Sequence, residues 1–262
     1  MSGSNSYVAE LRDVKMQFED KIVLDDLSLK ILPMDRLVIL GQSGSGKSTI
    51  LRLILGLLRP DDGSVFFKQF EITRLPRRKL QRVRRHIGMV YQYSALLSSL
   101  TVRDNIALPL EELSDKSNEE IDQIVDEKLE LVGMKDSRNL MPSELSGGMR
   151  KRVSLARALV LDPELILFDE PVAGLDPVMA SVIDELIVSL SEKSKVTSVI
   201  VTHEMDSAFR IATRMAMLYH GKIIEEGKPE KLKKSNNPVV SQFLSGSTKG
   251  PILEETNNAD KA

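Results

Sequence analysis

The sequence contains no cysteine and no tryptophan, and aromatic residues make up only 4% of the chain. Without cysteine there is no disulfide framework, no thiolate metal site and no cysteine nucleophile, a composition suited to a reducing compartment. Charge of one sign is also missing: 36 Lys and Arg stand against 38 Asp and Glu, for a formal net charge of -2. No global excess points to nucleic acid or to an anionic surface, so any such binding must be local. No nucleic-acid partner is expected. No stretch of about 18 apolar residues occurs, the length a membrane-crossing helix needs. The opening residues MSGSNSYVAELRD carry no apolar segment of signal-peptide length, and the expected location is the cytoplasm.

What is present suffices for a globular core. At 262 residues and 42% hydrophobic content, the chain can bury one large domain, or a domain with a subdomain. Apolar runs of strand length alternate with helical patterns, which predicts an α/β fold built on a mostly parallel sheet. The candidate buried strands are RLVIL at 36–40, IGMVY at 87–91, LILF at 165–168, SVIVT at 198–202 and MAMLY at 215–219. The last turns at His220-Gly221 into KIIEE, a predicted hairpin. Between 93 and 162 no such strand occurs. Helical periodicity takes over there, and in SNEEIDQIVDEKLELVG Ser117 precedes Glu120 at capping-box spacing. The expected organisation is one domain over 1–246 with a helical subdomain inserted at about 93–162. A polar tail, either flexible or in contact with another subunit, is expected over 247–262. There is no internal repeat.

Two motifs carry chemistry. GQSGSGKST, Gly41 to Thr49, fits the phosphate-loop pattern G-x-x-x-x-G-K-[ST] between a predicted strand and the helical stretch STILRLILGLL. Gly41, Gly44 and Gly46 let the backbone of Gln42, Ser43 and Ser45 wrap phosphates, and the following helix start adds partial positive charge. Lys47, read as an exposed loop residue, would reach the terminal phosphates, and the Ser48 hydroxyl would bind Mg²⁺. LILFDEP, 165–171, is a buried strand ending in two carboxylates. Asp169 is placed to hold Mg²⁺, and Glu170 to polarise the water that attacks the γ-phosphate. A third stretch, MPSELSGGMRKR at 141–152, reads as a cap, a turn and a helix start. Its free N–H groups have no anionic partner nearby in sequence, and Ser146 is also a natural N-cap.

Taken in order, these motifs resemble those of the ATPase subunits of ABC transporters over about residues 8–245. Gln92 matches the glutamine loop, LSGGM the signature, AGLDP the loop carrying Asp176, and VTHE supplies His203, the switch histidine. Phe18 stands where the family carries an aromatic residue against adenine. The resemblance implies a P-loop NTPase fold, with an antiparallel β subdomain at the N-terminus and an inserted helical subdomain. It also implies ATP and Mg²⁺ as ligands, with Gln92 touching the metal. A head-to-tail dimer is implied, in which Ser146, Gly147, Gly148, Met149 and Asp176 of one copy meet the nucleotide of the other, and so is a multispan permease as partner. Met149 departs from the usual Gln of the signature. Together with YQYSALLSSLTVRDNIALPL and QFLSGSTKGP, it resembles the Mce/Mla-type phospholipid transporter ATPases, which implies an Mce-domain partner and a place on the cytoplasmic face of the inner membrane. Amino-acid importer ATPases and soluble iron–sulfur-assembly ATPases remain as alternatives. Chromosome-structural ATPases would require a long coiled coil or zinc cysteines, and translation-factor ATPases a second cassette.

Other conspicuous features have plainer readings. TRLPRRKLQRVRRH at 73–86 carries seven Lys and Arg residues and reads as a solvated helix with Leu80 and Val83 inward; contact with anionic headgroups is the competing reading. The methionines, including Met89, Met215 and Met217, read as core filling. His86 and His220 lack a ligand constellation and read as surface residues.

Overall fold

The computed structural model describes residues 7–253. β1 (Ala9–Phe18) and β2 (Lys21–Ile31) pair antiparallel, and β3 (Arg36–Leu40) leads through the glycine-rich loop into α1 (Lys47–Ile54). β4 (Asp62–Phe67) returns beside β1 and turns into the short β5 (Phe70–Glu71). After α2 (Arg77–Arg84) and β6 (Ile87–Val90) come α3 (Val102–Leu113), α4 (Asn118–Leu131) and α5 (Gly147–Leu159). β7 (Leu165–Asp169), α6 (Pro177–Ser194), β8 (Thr197–Val201) and α7 (Met205–Ile211) alternate. β9 (Arg214–Tyr219) and β10 (Lys222–Gly227) close the sheet as a hairpin before α8 (Pro229–Lys233) and α9 (Pro238–Ser245).

The strands form a four-stranded antiparallel sheet in the order β2-β1-β4-β5 and a six-stranded sheet in the order β10-β9-β3-β8-β7-β6. The second is parallel except at β10. Its inner strands β3, β7, β8 and β9 are largely apolar because both faces are covered, and alternate residues sort into two cores. Val38, Leu40, Ile166, Phe168, Ile200, Met215 and Met217 join α3 to α7 on one face. Leu37, Ile39, Leu165, Leu167, Val199, Val201, Ala216 and Leu218 meet β1, β2, β4 and α1 on the other. Met215 and Met217 are thus core residues, while Met89 is only partly buried.

The strand readings agree with the structure to within one or two residues, and so does the cap of α4. Ser117 Oγ accepts from Glu120 N–H at 3.3 Å and Glu120 Oε2 accepts from Ser117 N–H at 2.7 Å. α2 buries Val83, and most of its basic residues are exposed. Arg84 is an exception: its guanidinium donates to the carbonyls of Leu55 and Gly56 at 2.8 Å each and so closes the C-terminal end of α1. His86 and His220 are exposed. Order persists past 246, where the tail was expected to begin. Gln242 Oε1, on α9, accepts from Ile252 N–H at 2.9 Å, which ties this segment to the helix, and Ile252 is buried. Residues 254–262 of the expected tail lie outside the described residues.

Candidate nucleotide-binding site

Strand register assembles the site. Val201 pairs with Ile39 on one side and with Asp169 on the other, so the ends of β3, β8 and β7 stand level, and Val90 of β6 pairs with Phe168 alongside. The carboxyl ends of parallel strands are where open α/β sheets bind ligands. Here they bring Gln92, Asp169, Glu170 and His203 to one cleft of about 350 Å³, shared with Ser43, Gly44, Gly46, Lys47, Ser48 and Thr49. Phe18 and Val23, flanking the β1–β2 turn, complete its wall. Phe18 is 41% exposed, an aromatic face available for stacking. Nothing in the sequence pattern marked Val23.

The loop between β3 and α1 needs its glycines for space as well as for freedom. At Gly46, φ is 103°, and a Cβ there would stand 2.9 Å from Val23 Cγ1; at Gly41 a Cβ would meet the Leu218 carbonyl oxygen at 2.5 Å. Gly46 offers no side chain to cap α1, so the helix start presents uncapped N–H groups, as an anion site requires. Lys47 is not the exposed residue expected: it is 7% exposed, and its ammonium donates to the carbonyls of Gly41 and Gln42 at 2.7 and 2.9 Å. Burial lowers its pKa below the ordinary lysine value, while the charges of Glu170 and Asp169 hold it up. The Ser45 hydroxyl is a buried polar atom without a partner among the described residues, packed close to Gly41.

Ser48 donates its hydroxyl hydrogen to Asp169 Oδ1 at 2.8 Å. This is a hard-oxygen pair of the kind Mg²⁺ uses. Among the described residues no group of three or more His, Asp or Glu could hold a metal ion alone. The Ser48–Asp169 pair fits Mg²⁺, which takes one or two protein oxygens and completes its shell with phosphate and water.

Glu170 sits at the end of β7 with φ 49° and is 8% exposed. Its N–H donates to the Val201 carbonyl at 2.9 Å, extending the β7–β8 pairing. Its carboxylate accepts from the His203 main-chain N–H at 3.3 Å, and His203 Nδ1 lies 2.8 Å from Oε1. That separation is a hydrogen bond in the tautomer whose proton sits on Nδ1. Lys151, absent from the residues singled out in the sequence, is buried, and its ammonium donates to the carbonyls of Gln92 and Glu170. One signal could have found it: three residues after the buried Gly148 and four before the buried Leu155, it falls on the inward face of α5.

The signature residues do not line this cleft. Ser146 and Gly147 are exposed, and Ser146 Oγ accepts from Met149 N–H at 3.3 Å as the N-cap of α5. Gly148 is buried, and a Cβ there would stand 2.5 Å from Met179 Cε. Met149 packs on the core. Asp176 is exposed and caps α6, accepting from the N–H groups of Val178 and Met179 at 3.0 Å each.

A phosphate loop, a level pair of strand-end carboxylates and a histidine against the second of them define a P-loop nucleotide hydrolase. Comparison with known proteins makes this specific. The chain matches the ABC transporter family model over residues 24–173, and it belongs to that family. It is 40% identical to the intermembrane phospholipid transport system ATP-binding protein MlaF of Haemophilus influenzae, over 95% of this chain and 94% of that one. To the probable ribonucleotide transport ATP-binding protein mkl of Mycobacterium leprae it is 41% identical, over 93% of this chain and 70% of that one. Among solved structures it resembles the dimeric ATP-binding cassette MJ0796 in a post-hydrolysis state bound to ADP and Pi, with TM-score 0.77 and 32% identity, covering 84% of this chain and 98% of that one.

Proposed function

We propose that the protein binds and hydrolyses ATP as a head-to-tail dimer on the cytoplasmic face of the inner membrane, and so drives a permease that moves phospholipid between membranes of a cell envelope. One observation carries the hydrolytic reading: Lys47, Ser48, Gln92, Asp169, Glu170 and His203 line a single cleft. Adenine stacks on Phe18, and the loop from Gly41 to Thr49 wraps the phosphates with Lys47 as their cation. Ser48, Asp169 and Gln92 would hold Mg²⁺, which supplies charge neutralisation at the phosphate oxygens when bound. Glu170 takes the proton of the attacking water as its oxygen bonds to the γ-phosphorus. The bond from that phosphorus to the β–γ bridging oxygen breaks, ADP and phosphate leave, and the proton returns to solvent. The His203 ring and N–H keep the carboxylate aimed.

Ser146 and Gly147 are exposed at the start of α5 and outside the cleft, which supports the reading that their phosphate arrives on a second copy. Among the described residues no helix is long and apolar enough to cross a membrane, in keeping with a peripheral subunit whose permease is a separate chain. The cargo follows from the end-to-end similarity to MlaF, and an Mce-domain protein is the corresponding accessory partner. Reconstitution with the cognate permease tests it: ATP-dependent transfer of labelled phospholipid is expected. Transfer of labelled ribonucleotide or amino acid, with phospholipid left in place, would overturn the lipid assignment.

A further inference from the structure

We propose that Lys151 is a positioning residue that ties the main chains of Gln92 and Glu170 to α5, so that the hydrolytic step depends on where α5 stands. The inference rests on the hydrolytic reading above. α5 starts at the Ser146–Gly148 signature, and Lys151 lies about one turn further in, 6% exposed. Its ammonium has carbonyl oxygens rather than carboxylates as hydrogen-bond partners: it donates to Gln92 and, at 3.2 Å, to Glu170. Those two residues follow the ends of neighbouring strands, β6 and β7, and both line the cleft. A second cation on the same helix grips the same loop. Arg157 donates to the carbonyls of Ser94 and Ala95 at 2.8 Å each, and both residues have positive φ, 62° and 48°. α5 therefore holds the loop after β6 at three carbonyls, and through Lys151 it holds the Glu170 carbonyl as well.

A buried ammonium loses hydration and side-chain freedom, and apolar residues would pack α5 at less cost. Burial lowers its pKa below the ordinary lysine value, with the charges of Asp169 and Glu170 opposing that shift. What lysine supplies and an apolar residue cannot is a forked donor joining two loops to one helix. A shift of α5, such as closure of its signature on a second copy, then moves Gln92 and Glu170 together. The phosphate loop forms no hydrogen bond with Lys151, so nucleotide binding and hydrolysis should respond differently to its loss.

Steady-state ATP hydrolysis, binding of a fluorescent ATP analogue and thermal melting of the purified chain test this. Lys151→Met, which keeps length and removes the donors, should lower kcat at least tenfold, with KM and analogue Kd within threefold of wild type. Lys151→Gln, which keeps one donor group, should fall between the two. A kcat for Lys151→Met within twofold of wild type overturns the proposal. So does a kcat loss matched by an equal loss of nucleotide affinity, since a packing residue would act on both. If Lys151→Met fails to fold, Lys151→Gln decides by the same split: a kcat loss of threefold or more at unchanged KM supports the proposal, and an unchanged kcat overturns it. Wild-type turnover that Glu170→Gln abolishes establishes the hydrolytic reading separately, so the two failures are distinguishable.

Discussion

Glu170→Gln separates binding from hydrolysis. The substitution preserves side-chain size, and the main-chain bond from Glu170 N–H to the Val201 carbonyl at 2.9 Å is untouched, so the end of β7 stays in place. Oε1 of the amide can still face His203 Nδ1, now 2.8 Å from the carboxylate. What is lost is the base. Removing a positioned general base slows hydrolysis by roughly 10²–10⁴-fold, or about 2.7–5.4 kcal/mol at about 1.36 kcal/mol per factor of ten. Nucleotide affinity should stay within threefold, because Lys47, Ser48 and the phosphate loop are unchanged. Closure also gains, since a neutral amide replaces a buried carboxylate that would face the γ-phosphate. Each nucleotide bridges two copies, so its binding free energy adds to that of dimerisation, and the variant should dimerise with ATP and Mg²⁺. Adding Ser146→Arg should abolish that dimer by filling the space beside Gly147 and Gly148. Phosphate release and light scattering are the assays. Turnover of Glu170→Gln within fivefold of wild type would refute the assignment of the base, and a double variant that dimerises as well as the single would refute the cross-subunit site.

Lys47→Ala should lower turnover at least hundredfold, as expected when a preorganised cation at the transferring phosphoryl group is lost; near-normal phosphate release in the purified chain would refute its role. Its melting temperature should move by only a few degrees, because two carbonyls lose a donor while a buried charge is removed. Affinity for ATP should fall with rising pH at lower pH than an ordinary lysine would dictate, because burial makes the Lys47 proton easier to lose; Lys47→Arg should remove that dependence, and equal pH profiles for the two would count against it. The same lowered pKa means that folding stability rises with pH between the folded value and the unfolded 10.5, where the unfolded chain binds more protons. Asp184 is fully buried and accepts from Ser207 Oγ–H at 2.5 Å and Arg210 Nη1 at 2.6 Å, joining α6 to α7. Asp184→Ala should therefore cost about 1–3 kcal/mol, below the full figure for a buried pair because Arg210 is partly solvated, and a change in chemical denaturation under 0.5 kcal/mol would show that this junction contributes little.

By itself, the sequence determined what short-range chemistry dictates. RLVIL, LILF and MAMLY read as strands because both faces of each are buried, which leaves continuous apolar runs. Ser117 with Glu120 marked a helix start because the two residues satisfy each other's N–H groups within one turn. Gly41 to Thr49 read as a phosphate loop because glycine spacing and a following helix suffice to recognise it. Only the tertiary structure decided that β8 lies between β3 and β7, which sets Val201 level with Ile39 and Asp169 and puts His203 against Glu170. Strand order rests on pairings between residues far apart in the chain, such as Ile39 with Val201 and Val90 with Phe168, and no local period records them. The burial of Lys47 was equally illegible, because its carbonyl partners are presented by the fold of the loop and not by residue type. For Lys151 the sequence offered a face of α5 but not what that face meets: the carbonyls of Gln92 and Glu170 come together only when β6 and β7 pair and α5 packs across their ends.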